Sequence, residues 1–129
     1  MQIIKPLELM KSHNDEINSL KRNAYISKCR KEIQNILNNS DSRKLLIVGP
    51  CSIHDEEETL IYAKNLLSLI EETSQDFFIV MRFFTQKSRT ACGWPGFVFD
   101  PDLDQSYHME KGIEKTRNLM IKLTDMGIP

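Results

Sequence analysis

The spacing of apolar positions changes along the chain, and each change marks an element. From Asp15 to about Asn38 they recur at intervals close to three and four: Ile17, Leu20, Ala24, Cys29, Ile33, Ile36 and Leu37. This imperfect stripe predicts a helix, with Asn14 or Asp15 as its N-cap. Asn38-Asn39-Ser40-Asp41-Ser42 is a run of turn formers that ends it. Lys44 to Gly49 then reads as a continuous apolar strand of the kind covered on both faces. Asp55, three residues before Glu58, predicts the cap of a second helix, and Glu56 to Glu58 complement its dipole. Leu60, Ala63, Leu67 and Ile70 mark the inward face of that helix. Phe77 to Met81 predicts a second strand, which ends on Arg82. Residues 83–107 form a long connection with Gly93, Pro95, Gly96 and Pro101. Its aromatic residues (Phe83, Phe84, Trp94, Phe97, Phe99, Tyr107) argue against disorder. A last helix is predicted from about Met109 to Met126, with Ile113, Met120 and Leu123 inward. Gly127 suits its C′ position, and Pro129 lies just beyond.

After the leading helix the order is strand, helix, strand, loop, helix, which is two βα units with parallel strands and right-handed crossovers. Two such strands leave edges and apolar faces without partners. Gly127-Ile128-Pro129 reads as the approach to a third strand. The expectation is therefore an α/β chain that forms an incomplete (β/α)8 TIM barrel. Residues 1–43 are its N-terminal extension with one helix, and residues 44–129 are the first two βα units. A whole barrel takes about 250 residues, and this chain has 129. Residues 1–14, interrupted by Pro6, are expected to be extended and docked on something, such as another subunit.

The net charge of −1 gives no global field toward nucleic acid or an anionic membrane. No apolar run approaches the roughly 20 residues of a membrane span, and the first residues lack a signal-peptide pattern. Cys29, Cys51 and Cys92 form no CxxC pair, which predicts reduced thiols and a cytoplasmic protein.

Chemistry concentrates where the predicted strands end. Cys51 follows Gly49-Pro50, and side chains at barrel strand ends face the active site. A thiolate there ligates a divalent metal or attacks as a nucleophile; the structural alternative is a small buried hydrophobe. His54 and Asp55 are close by, with Asp55 read as a cap rather than a ligand. Arg82 is either a bidentate seat for carboxylate or phosphate, or a solvated strand terminus. Lys87, Arg89 and Thr90, beside Gly93 and Gly96, are either a phosphate cradle or a solvated loop. Asp100, Asp102 and Asp104 alternate but lack EF-hand spacing, so they read as turn formers. Met109, Met120 and Met126 read as core filler.

Several of these segments together resemble a known family. Gly49-Pro50-Cys51-Ser52-Ile53-His54-Asp55, Met81-Arg82, Lys87-x-Arg89-Thr90-x-x-Gly93-Trp94-x-Gly96 and Asp100-Pro101-Asp102-Leu103-Asp104 are similar to the N-terminal part of class I 3-deoxy-D-arabino-heptulosonate 7-phosphate (DAHP) synthases. The leading helix, with Arg30, Ile33, Ile36-Leu37, Asp41 and Arg43, is similar too. The resemblance implies a (β/α)8 barrel that condenses phosphoenolpyruvate with erythrose 4-phosphate, releases phosphate and opens the shikimate route to aromatic amino acids. It implies that Cys51 is one ligand of a divalent metal (Mn, Fe, Co or Zn), that Arg82 binds phosphoenolpyruvate, and that Lys87 is a catalytic and substrate-binding cation. Arg89 and Thr90 would meet chiefly erythrose 4-phosphate. The remaining metal ligands, a His, a Glu and an Asp, belong to later strands of the family's barrel. The parent protein is expected to be a cytoplasmic homo-oligomer without nucleic-acid or membrane partners. Three positions depart from the family pattern: Ser88 in place of Pro, Ala91 in place of Thr, and Pro95 in place of a Lys expected to hold the phosphoenolpyruvate phosphate. The chain alone is expected to be inactive. The alternatives are an interaction or regulatory piece, one half of a split enzyme, and a decayed gene product.

Overall fold

A computed structural model describes residues 20–87 and 93–129. The elements run α1 (Leu20–Leu37), β1 (Lys44–Val48), α2 (Glu56–Glu72), β2 (Phe77–Met81) and α3 (Met109–Asp125). The proposed caps Asn14 and Asp15, and Ile17, lie outside the described residues.

β1 and β2 pair in parallel, from Lys44 opposite Phe77 to Val48 opposite Met81. Side chains alternate across a strand, so Ile79, Met81 and Phe83 share one side and Phe78, Val80, Arg82 and Phe84 the other. The first side meets the helices. Ile79 and Met81 join Ile53, Ala63, Leu66, Phe97, Leu119, Leu123 and Ile128 in one apolar cluster, with Val48 and Phe83 packed against it.

The expected double cover of β1 is not present among the described residues. Ile47, beside Val80 on the side away from the helices, is 66% exposed, and Leu46 is 36% exposed. The described residues leave Ile47 open, although at the start of the same side Phe78 is buried with Arg43 over its ring, and the edge of β1 away from β2 has no partner strand in this two-stranded sheet.

α2 starts as expected. The Asp55 carboxylate accepts the Glu58 N–H at 2.8 Å. Ala63 is buried as expected, but the rest of the buried face is set one position earlier than the apolar pattern suggested: Thr59 and Leu66 are buried, while Leu60, Leu67 and Ile70 flank the core. Thr59 fits there because its hydroxyl donates to the Asp55 carbonyl, so a polar residue is buried with its hydrogen bond made.

α3 needs a similar correction. Leu119 and Leu123 carry its contact with the core, whereas Met120 is 44% exposed and Met109 47%. Gly112, Leu119 and Leu123 define one stripe, and Met120 lies about 80° round the helix from its centre. Ile113 is half-buried. Gly112 presses on the Val98 carbonyl, where any Cβ would collide.

The end of α3 is a Schellman motif. Gly127 has φ +82, its N–H donates to the Thr124 carbonyl at 3.0 Å, and the Ile128 N–H reaches the Leu123 carbonyl at 3.1 Å. Leu123 and Ile128, both buried, supply the accompanying apolar contact. The chain then turns alongside β2: the Met81 N–H donates to the Pro129 carbonyl at 2.9 Å.

α1 is fastened at both ends of its described span. Arg22 pairs with Asp125 at 2.7 Å, and the Tyr25 hydroxyl donates to the Gly127 carbonyl at 2.6 Å. Farther on, Arg43 joins Glu32 of α1 at 2.8 Å and Asp41 of the following turn at 2.7 Å, and lies over the Phe78 ring. The hydrogen bond from Arg43 holds the Asp41 carboxyl below the usual carboxylate range.

Candidate functional site

The two strands end level with each other. The Arg82 N–H donates to the Val48 carbonyl at 2.7 Å. Gly49 lies against Arg82 so closely that a Cβ there would stand 2.5 Å from the Arg82 carbonyl oxygen and 2.9 Å from its Cβ. Cys51 and Arg82 therefore leave the sheet from one edge, on adjacent strands. A further hydrogen bond joins the two exits: the buried Ile53 donates its N–H to the Phe84 carbonyl at 2.7 Å.

Cys51 is exposed and carries a free thiol, so a small buried hydrophobe does not describe it. Among the described residues no group of three His, Cys, Asp or Glu side chains is placed to hold a metal ion. His54 Nε2 faces Glu58 at 3.1 Å, and Asp55 is engaged as a cap. One soft donor does not make a four-coordinate site, so the described residues do not fit a metal by themselves.

Arg82 is exposed at the edge, and its guanidinium carbon lies 4.8 Å from the centre of the Phe84 ring. Among the described residues none of the ion pairs involves it. The face of the guanidinium is covered by an aromatic ring, and the side chain is otherwise exposed.

Beyond Phe84 the chain forms the neck of a loop. The Lys87 N–H donates to the Pro95 carbonyl at 2.9 Å, and the Val98 N–H to the Thr85 carbonyl at 3.2 Å. Gly96, at φ +120, lets the two sides approach, since a Cβ would lie 2.5 Å from Gln86 Cα and from the Thr85 oxygen. Lys87 is half-buried at this neck. Arg89 and Thr90 lie outside the described residues. Trp94 Nε1 donates to the Asp100 carbonyl at 2.7 Å, and Asp100 itself is buried, with one carboxylate oxygen accepting the Gln105 N–H at 3.1 Å. Asp100-Pro101-Asp102-Leu103 is a turn, as its composition suggested, closed by the Leu103 N–H on the Asp100 carbonyl. The structure thus brings Cys51 and Arg82 to one end of the sheet, with the Lys87 neck following Phe84 along the chain.

A model of the DAHP synthetase I family matches residues 16–128. The chain belongs to that family. The Tyr-sensitive phospho-2-dehydro-3-deoxyheptonate aldolase of Escherichia coli K12 is 41% identical over 111 residues, which is 86% of this chain and 31% of that protein. The tyrosine-inhibited aldolase of Schizosaccharomyces pombe is 45% identical over 81% of this chain and 28% of its own length. A solved phospho-2-dehydro-3-deoxyheptonate aldolase from Francisella tularensis SCHU S4 superposes on the whole chain with a TM-score of 0.89 at 41% identity, covering 37% of that protein. The chain therefore spans about a third of the length of these family members. No described helix is long and apolar enough to cross a membrane.

Phe84 is the member of this edge that the sequence reading did not assign to the site. The signal was available: in an extended segment, residues two apart share a side, so an aromatic at 84 falls beside an arginine at 82.

Proposed function

We propose that this chain supplies the opening part of a DAHP synthase, the N-terminal extension and first two βα units of a (β/α)8 barrel. The Pro129 carbonyl on the Met81 N–H and the uncovered Ile47 support this reading, because they mark where a third strand and the rest of a barrel wall would lie. The parent reaction joins phosphoenolpyruvate to erythrose 4-phosphate with release of phosphate. The parent works in the cytoplasm as a homo-oligomer.

The observation that carries the reading is Arg82: a strand-end guanidinium without a carboxylate partner among the described residues, on the edge that also bears Cys51. A planar guanidinium binds carboxylate or phosphate through two parallel N–H groups, which suits phosphoenolpyruvate. Lys87 brings a second cation to the neck of the next loop, where it screens the repulsion between two anionic substrates, and Arg89 and Thr90 take erythrose 4-phosphate. Holding both substrates in reacting geometry is where such residues lower the barrier. Cys51 offers one ligand to a divalent metal (Mn, Fe, Co or Zn) whose other ligands come from beyond this chain.

The chain alone lacks most of the site and is expected to be inactive. Purified chain supplied with both substrates and Mn²⁺ should release no phosphate and form no DAHP. The chain joined to the remaining part of the F. tularensis relative should do both. Turnover by the chain alone overturns the first expectation, and a folded but inactive joined protein overturns the functional reading.

A further inference from the structure

We infer that Phe84 is a positioning residue, whose ring holds the Arg82 guanidinium so that its N–H edge is presented to the anionic substrate. The inference rests on the proposed role of Arg82 in binding phosphoenolpyruvate.

Three observations lead to it. Arg82 and Phe84 lie on the same side of the extended segment that leaves β2, opposite the side buried against the helices by Met81 and Phe83. The guanidinium carbon sits 4.8 Å from the centre of the ring, within the range of a cation–π contact. The backbone of Phe84 is itself fixed, because its carbonyl accepts the N–H of buried Ile53 at 2.7 Å. Ile53 is two residues past Cys51, so the ring is placed relative to both strand exits. A free arginine at a strand end loses rotamer freedom when it binds an anion. A ring that already carries the guanidinium removes part of that loss while leaving the hydrogen-bonding edge open. A carboxylate in the same place would hold Arg82 as well but would occupy that edge.

The test is a calorimetric titration of phosphoenolpyruvate into the chain joined to the remaining part of the F. tularensis relative, with the Arg82 Nε–Hε resonance followed by NMR. The unaltered chain in that joined protein should bind, and its Arg82 signal should carry a ring-current shift. Phe84→Leu should weaken binding about three- to fivefold and abolish that shift, whereas Phe84→Tyr should restore both. Phe84→Met replaces the leucine variant if the latter loses its helical circular dichroism. Arg82→Gln should remove binding altogether. If Arg82→Gln binds like the unaltered chain, or the unaltered chain does not bind, the role of Arg82 fails and this inference with it. If Arg82→Gln loses binding while Phe84→Leu keeps it, or if leucine and tyrosine weaken it equally, the positioning role alone is overturned.

Discussion

Gly49 and Arg82 touch without room for a side chain between them: a Cβ on Gly49 would stand 2.5 Å from the Arg82 carbonyl oxygen. Backbone atoms form that wall, so the contact does not yield as a flexible side chain would. Gly49→Ala is expected to separate the strand ends at a cost of roughly 1–3 kcal/mol. A lower urea midpoint with an unchanged m-value checks this, and loss of the Arg82–Val48 hydrogen bond should appear as faster amide exchange at Arg82.

Much of the fold around this contact was legible from residue order. The limits of β2, the cap at Asp55 and the stop at Gly127 follow from local chemistry, and local chemistry is what a sequence displays. The misplacements have a common cause. Leu119 and Met120 are neighbours with similar hydropathy, and only the depth of packing against β2 and the following Ile128 decides which is inward. Thr59 was passed over because its hydroxyl is satisfied within its own helix, which no apolar pattern reveals. Ile47 is as apolar as any core residue yet is exposed, since no described residue packs over it, which an apolar pattern does not reveal. At the site, Cys51 and Arg82 could be placed by the strands they follow. The pairing of Arg82 with Phe84 needed coordinates, because a side-chain direction had to be known as well as a register.

Asp55 offers a simpler check on α2. Its carboxylate accepts the Glu58 N–H, while Glu58 turns to His54 instead of returning to the Asp55 backbone. Asp55→Ala should therefore lose the whole side-chain cap, about 1 kcal/mol. A fall in the urea midpoint should accompany it, and Asp55→Ser should recover most of the loss.

Acid should loosen the chain. Asp41, Asp102 and Asp125 are held below the usual carboxylate range by hydrogen bonds from Arg43, Lys111 and Arg22 respectively. With folded values below the unfolded value of about 4, their contribution is complete above that pH and disappears as pH falls through the folded values. Urea midpoints should be flat near neutrality and fall below about pH 4. Asp41→Asn should lower the neutral midpoint and flatten part of the acid limb.

Base should act through Tyr25. Burial, with Cys29 beside it, pushes its hydroxyl above the ordinary tyrosine range. A raised value means that the stabilisation is whole below about pH 10 and is lost as pH climbs through the folded value. Tyr25→Phe removes the hydrogen bond to the Gly127 carbonyl and should cost about 1 kcal/mol at neutral pH. The variant should also lack the alkaline decline expected of the unaltered chain.

The most direct measurement concerns Arg82 in a complete barrel. With this chain joined to the remaining part of the F. tularensis relative, DAHP formation is followed against phosphoenolpyruvate concentration. Arg82→Gln is expected to reduce kcat/KM for phosphoenolpyruvate about a hundredfold. A glutamine variant that turns over phosphoenolpyruvate as efficiently as the unaltered protein would contradict the assignment of the strand-end guanidinium as the substrate's seat.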